Sequence, residues 1–199
     1  MTERSELGLS VLDSRFRIVS DDERMIELVR ELWEPFVDDD AGGEARVLTV
    51  AKQDAGWRVD AEPNPPIVAS DPWVVASTLR NAVSGAAVAA AAPMVPIHGA
   101  AVQRDGVFLV LSGPARAGKT TLLLELLDRD WLLVTDDLVP LDLDTLVARP
   151  FPKPLSVREP ARWRRFSGAW EVPAWLPDPV VVGLLPATAM PHSEAIQYR

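Results

Sequence analysis

The chain of 199 residues has no cysteine and only two histidines, His98 and His192. The first absence excludes disulfides, thiolate zinc sites, iron–sulfur clusters and a cysteine nucleophile. Two histidines are too few for a histidine-based metal cage. Clustered positive charge is missing as well. The net charge is −9, which argues against nucleic acid as the main partner, because a phosphate backbone demands grouped cations. No uninterrupted apolar run is long enough to span a bilayer. The longest apolar stretch, Trp73 to Ala92, carries Arg80, Asn81 and Ser84 in its middle and is rich in alanine. It reads as a buried core helix, not a membrane span. Residues 1–15 show no apolar signal-peptide core. The expectation is a cytoplasmic chain with no membrane partner.

What is present is ordinary for a folded protein: 48% hydrophobic and 25% charged residues. The length fits one domain, or one domain with a small appendage, and is long enough to bury a core without staples. The charge is uneven. Residues 1–97 hold 9 basic and 17 acidic side chains, whereas residues 98–199 hold 11 and 12. The second half can receive an anionic ligand at less electrostatic cost.

The first 92 residues read as a small α/β unit. Phe16 to Ser20 predicts a short strand. Ser20 reads as a helix N-cap with Glu23 as its capping-box partner, and Met25, Ile26, Leu28, Val29, Leu32 and Trp33 follow at helical spacing up to Pro35. Asp38 to Gly43 reads as a loop. Arg46 to Lys52 and Gly56 to Asp60 predict two strands. The run Pro63-Asn64-Pro65-Pro66 breaks the pattern before the alanine-rich helix. In the second half, His98–Gln103 and Val107–Ser112 form a predicted hairpin about an Asp105-Gly106 turn. A leucine-rich helix over Thr121–Leu127 and an apolar strand over Trp131–Thr135 follow. Residues 151–191, rich in proline and tryptophan, predict turns, short strands and one short helix.

The chemistry concentrates after the hairpin. Gly113, Pro114, Ala115, Arg116, Ala117, Gly118, Lys119 and Thr120 match G-x-x-x-x-G-K-[ST], the P-loop, with an apolar strand before it and a helix after it. Its glycines let consecutive N–H groups face phosphate oxygens, and the helix start adds its positive dipole end. Lys119 can reach the β- and γ-phosphates, Thr120 can bind Mg²⁺, and Thr121 continues the cradle. Arg116 either touches phosphate or faces solvent, and the solvent reading is favoured. Asp136 and Asp137 end the next predicted strand, where a carboxylate can hold the metal or accept a proton from an attacking hydroxyl. Taken alone, such a pair reads mostly as a solvated turn, and its spacing after a P-loop is what favours function. Arg158, Arg162, Arg164 and Arg165, interleaved with Trp163 and Phe166, form the basic cluster, either an anion clamp or a solvated helix face. Trp163, Trp170 and Trp175 read as core or as the lining of a peptide groove.

The run from Ile97 to Leu141, with its His-Gly strand, short turn, P-loop, helix and Asp pair, resembles the catalytic domain of the HPr kinase/phosphorylase family. Arg149 to Ser156 is similar to the segment that follows in HPr-kinase-related proteins. The resemblance covers roughly residues 85–158. It implies an α/β fold with a P-loop-containing mixed sheet of the phosphoenolpyruvate carboxykinase type over residues 93–199, preceded by the small unit at 1–92. It implies an ATP- and Mg²⁺-dependent transfer of a phosphoryl group to a serine-type hydroxyl on a peptide, protein or small molecule, in a setting such as peptide natural-product biosynthesis. By that resemblance Lys119 binds phosphate, Thr120 the metal, Asp136 acts as general base, Asp137 supports it or the metal, and His98 lies near the γ-phosphate. A homo-oligomer is also implied. Two departures stand against a phosphorylase activity and against HPr as the acceptor. Thr121 occupies a position where bifunctional members carry Glu, and their downstream glycine-rich signature with its Arg is not recognisable. These departures motivate the alternative of a nucleotide-binding accessory protein without transfer chemistry.

Overall fold

The computed structural model describes residues 4–39, 43–62, 64–91, 93–142, 144–145 and 148–192. The loop expectation at Asp40, Ala41 and Gly42, the break at Pro63 and the helix end at Ala92 lie outside them. The chain is mixed α/β. It opens with a strand that the sequence reading missed, β1 (Ser5–Val11), paired antiparallel with β2 (Ser14–Ser20). Leu7, Leu9 and Val11 alternate inward along β1, the period of a half-buried strand. Helix α1 (Glu23–Leu32) then carries the chain over to β3 (Arg46–Gln53), which lies parallel to β2. β4 (Gly56–Asp60) and β5 (Ile67–Ala69) complete a five-stranded sheet in the order β1-β2-β3-β4-β5. β5 is a second missed strand, because three residues after a proline run offer no periodicity to read.

The N-cap expectation at Ser20 is corrected. Ser20 is the last residue of β2, and its hydroxyl donates to the Val50 carbonyl at 2.8 Å. Asp22 caps α1 instead, accepting from the Arg24 N–H at 3.3 Å. The Ser20 oxygen accepts from the Asp22 N–H at 3.0 Å, a donor that precedes α1, so it serves no helical N–H. The Asp22 carboxylate also accepts from the Trp57 indole at 3.1 Å, tying the helix start to β4.

Helix α2 (Pro72–Ala90), capped by Asp71 at 2.8 Å from the Trp73 N–H, is the expected core helix. Among the described residues no helix is long and apolar enough to cross a membrane. α2 packs against both β4 and the second half of the chain. A continuous buried cluster therefore runs from Leu7 and Phe16 through Trp73, Val83 and Val102 to Phe151, Trp163 and Leu185. Complete burial of each large apolar side chain of this kind stabilises by about 1.5–3 kcal/mol. The two expected units share one core.

The second half is organised by one long strand, β6 (Val95–Arg104), which begins three residues before the expected His98. β7 (Val107–Ser112) pairs antiparallel along one edge of β6. Helix α3 (Lys119–Leu127) leads to β8 (Leu132–Thr135), antiparallel along the opposite edge, and β9 (Leu138–Leu141) pairs antiparallel with β6 as well. The strand order is β7-β6-β8. Among these named strands every pairing is antiparallel. Parallel character, expected of this sheet, enters through isolated bridges, Thr135 to Phe151 and Leu133 to His192. β10 (Leu155–Val157), α4 (Pro160–Ser167) and β11 (Gly183–Leu185) close the chain. Trp163 is buried in the core and stacks edge-on against Trp73 at 5.6 Å. Trp170 and Trp175 pack at its margin. These positions favour the core reading of the three tryptophans.

Candidate functional site

The site grows from the register of β6. Ser112, the last residue of β7, lies opposite Gly99, and Thr135, the last of β8, lies opposite Ala101. The segments leaving β7 and β8 therefore emerge at the same end, on either side of His98 and Gly99. One is the 113–120 loop and the other is the Asp136–Asp137 pair. Two hydrogen bonds fix this: the Ser112 hydroxyl donates to the His98 carbonyl at 3.3 Å, and the Gly99 N–H donates to the Asp137 carbonyl at 3.1 Å. Gly99 is required here. A Cβ at this position would lie 2.6 Å from the Leu111 carbonyl oxygen of β7.

The aspartates follow the last residue of β8, as the sequence suggested, but the pairing with β6 does not stop there. Thr135 pairs with Ala101 and Leu138 with His98, so β8 and β9 form one line beside β6, interrupted by the pair. The interruption is a tight turn about Asp137. The Leu138 N–H donates to the Asp136 carbonyl at 2.9 Å, and Asp137 has φ +72°. That conformation is strained for a residue with a side chain. The kink aims the two carboxylates in different directions. Asp136 is 6% exposed, whereas the Asp137 side chain is 41% exposed.

The loop has the geometry its sequence predicts. Gly118 adopts φ +86° at the N-cap of α3, which favours glycine. The first helical N–H to find a carbonyl is that of Leu122, to Gly118 at 2.9 Å. The N–H groups of Lys119, Thr120 and Thr121 are thus left over, as at any helix start. Lys119 folds back and donates to the Gly113 and Pro114 carbonyls at 2.8 and 3.2 Å. Ala115 and Arg116 are exposed at the loop tip, in accord with the solvent reading of Arg116. His98 rests against the other side of the site. Its Nδ1 lies 3.1 Å from the Asp137 carbonyl and 3.3 Å from the Asp137 carboxylate.

Two residues that the sequence reading did not assign complete the arrangement. Arg80, from the middle of α2, is buried. Its guanidinium spans the pair, 3.5 Å from Asp136 and 3.6 Å from Asp137, while its Nε donates to the Pro154 carbonyl at 2.8 Å. The signal was a charge inside an apolar helix, which in a core must find a partner. Lys153 is the second. Phe151 bridges in parallel to Thr135, and its N–H donates to Val134 at 2.8 Å. That register carries Lys153 alongside the aspartates. The Lys153 side chain is fully buried, 5.4 Å over the Phe151 ring, and its amine has no hydrogen-bond partner among the described residues.

Burial dominates the electrostatics. It pushes the Asp136 carboxyl above the usual carboxylate range, against the opposing pull of Arg80, Lys153 and the Ser156 N–H. Burial, reinforced by Arg80, lowers the Lys153 amine from 10.5 to about 7, with Asp136 and Asp137 opposing. Arg80, Asp136 and Lys153 therefore form a buried cluster of three ionisable groups, with the partly exposed Asp137 at its edge. Perturbed proton affinities in such clusters mark functional sites.

The basic cluster on α4 is mostly spoken for. Arg164 pairs with Asp178, and Arg165 pairs with Glu125 and Asp128 of α3. Arg158 is exposed. Arg162 pairs with Glu159 at 2.9 Å and also donates to the Thr121 hydroxyl. These pairs favour the helix-face reading for Arg164 and Arg165, whose charges are met within the chain. A shallow surface cavity of about 250 Å³ lies between Leu127, Phe166 and Met190, away from the loop and the aspartates. Among the described residues, no group of three His, Cys, Asp or Glu side chains could by itself hold a metal ion.

Fold and site together define an α/β protein in which a glycine-turned loop opening a helix and a kinked pair of aspartates meet at one end of a short sheet. No protein-family model, curated protein or solved structure matches this chain.

Proposed function

We propose that the chain is a Mg²⁺- and ATP-dependent phosphotransferase of the HPr kinase-like type, with the P-loop fold that this family implies. It moves a γ-phosphoryl group to a serine-type hydroxyl of a peptide, protein or small molecule. The observation that carries the reading is the common exit of the 113–120 loop and the Asp136–Asp137 pair beside His98. A cytoplasmic setting, self-association, and the absence of nucleic-acid and membrane partners belong to the same proposal.

The residues fit the groups this chemistry needs. The left-over N–H groups of Lys119, Thr120 and Thr121 suit phosphate oxygens. Lys119 exchanges the loop carbonyls for phosphate. With no ready-made cage, magnesium would take most ligands from phosphate and water, with Thr120 and Asp137 supplying the protein's share. Held there by Thr120 and Asp137, the metal would supply charge neutralisation for the phosphates. Asp136 takes the proton from the acceptor hydroxyl, and its raised proton affinity suits a base. The hydroxyl oxygen forms the new bond to phosphorus, the bond to the β–γ bridging oxygen breaks, and ADP carries away that electron pair. His98 and Lys119 position and stabilise the transferring group.

The burial of Asp136 favours a second reading, a nucleotide-binding accessory protein that holds ATP without turnover. One experiment separates the two. Mg–ATP is titrated calorimetrically into the wild type and Lys119→Ala, and phosphate transfer to serine-containing peptides is followed in the wild type and Asp136→Asn. Transfer requires binding lost in Lys119→Ala and turnover lost in Asp136→Asn with binding kept. Normal turnover by Asp136→Asn refutes the base assignment. Binding without turnover to any acceptor or water supports the accessory reading. No binding by the wild type refutes both.

A further inference from the structure

The placement of α4 against α3 points to an additional phosphate ligand: we propose that Arg162 contacts the α- or β-phosphate oxygens of a nucleotide seated in the 113–120 loop. This inference rests on the nucleotide-site reading above. Arg162 stands apart from the rest of its cluster. Arg165 anchors α4 along α3 through Glu125 at 3.2 Å and through Asp128, and Arg164 is held by Asp178. The buried Trp163 and Phe166 seat α4 against β10 and β11, and the Arg165 pairs tie its outer face to the end of α3. Arg162, one turn earlier, is thereby delivered to the first turn of α3.

There its terminal nitrogen donates to the Thr121 hydroxyl, the third helical residue after the Gly118 cap. The N–H groups of Lys119, Thr120 and Thr121 are the ones with no carbonyl partner. A phosphate oxygen received by those groups sits within one hydrogen bond of the Thr121 side chain, and so within reach of the guanidinium. The Arg162 Nε edge is already met by Glu159 at 2.9 Å. The opposite edge faces only a neutral hydroxyl, which a charged phosphate oxygen outcompetes. A guanidinium presents a planar fork of donors matched to two phosphate oxygens. Its side chain is 41% exposed, so the exchange needs no opening of the core. The direction of the chain sets which phosphates it meets. Lys119 and Thr120 serve the β–γ side and its metal, and Thr121 lies one step further round the turn, on the α/β side.

The test is calorimetric titration of Mg–ATP and Mg–ADP into the wild type, Arg162→Ala, Arg162→Lys and Arg165→Ala. The expected result is an affinity loss of about tenfold for Arg162→Ala, equal for the two nucleotides, as for one charge-assisted bond at a partly exposed site. Arg162→Lys recovers part of it, and Arg165→Ala, which loosens α4 without removing the ligand, loses less. Wild-type binding that Arg162→Ala leaves unchanged overturns the inference. So does an equal loss in Arg165→Ala, which would assign the effect to helix docking. A loss confined to ATP overturns the α/β placement. Failure of the wild type to bind either nucleotide instead refutes the underlying site, and Lys119→Ala, titrated in parallel, keeps the two failures distinct.

Discussion

Replacing Lys153 with Met should stabilise the protein at neutral pH, and the gain should shrink as the pH rises. The amine is fully buried without a hydrogen-bond partner among the described residues, over an aromatic ring. Its pKa falls from 10.5 to about 7 because burial penalises the charged form. Below about pH 7 folded and unfolded chains are both protonated, and the full penalty weighs on the folded state. Between about 7 and 10.5 the unfolded chain binds the extra proton, so wild-type stability climbs with pH. At about 1.4 kcal/mol per pH unit, that interval bounds the climb at about 5 kcal/mol. Relaxation and water entry reduce it, and a change of about 2 kcal/mol or more is expected. Methionine keeps the length and suits the Phe151 ring, but cannot titrate. The assay is urea unfolding of both proteins at several pH values from about 7 to about 10, urea being uncharged. A stability difference that stays constant with pH would refute the reasoning. So would a variant less stable than the wild type at pH 7.

Arg80→Met should cost about 3–5 kcal/mol in urea unfolding, because it leaves Asp136 buried beside no guanidinium. Adding Asp136→Asn should recover part of the loss, and strict additivity of the two single changes would show that the ion pair is not the cause. Gly99→Ala should destabilise by about 1–3 kcal/mol, since its Cβ would meet the Leu111 carbonyl at 2.6 Å. An unchanged midpoint in thermal unfolding would mean that β6 and β7 separate there at no cost.

The local elements were legible where a strong pattern met an unambiguous boundary. The alternation through Arg46–Lys52, the Asp105-Gly106 turn and the helix after the loop all stand where the sequence reading put them. The helix cap was hidden because Ser20 and Asp22, two residues apart, are both capping residue types, and only the structure shows Ser20 ending β2 with its hydroxyl on Val50 of β3. β9 was hidden because an Asp pair reads as a terminus, and only the register along β6 shows a kink in a continuing strand.

The candidate site divides in the same way. A short stretch of chain suffices to form the 113–120 loop, because glycine freedom, the helix start and Lys119 act within eight residues. The charge inside α2 and the lysine among prolines carried no local meaning. Arg80 lies 56 residues before Asp136, and the two become partners only when α2 is packed between the sheets. Lys153 joins the aspartates through a parallel bridge between segments that no turn connects. Spacing and propensity act over a few residues, so by itself the sequence determined the loop, the hairpin and the core helix. Burial and long-range register are properties of the packed chain. Only the tertiary structure decided which carboxylate is dry, which cation faces it, and which arginine of the basic cluster reaches the first turn of α3.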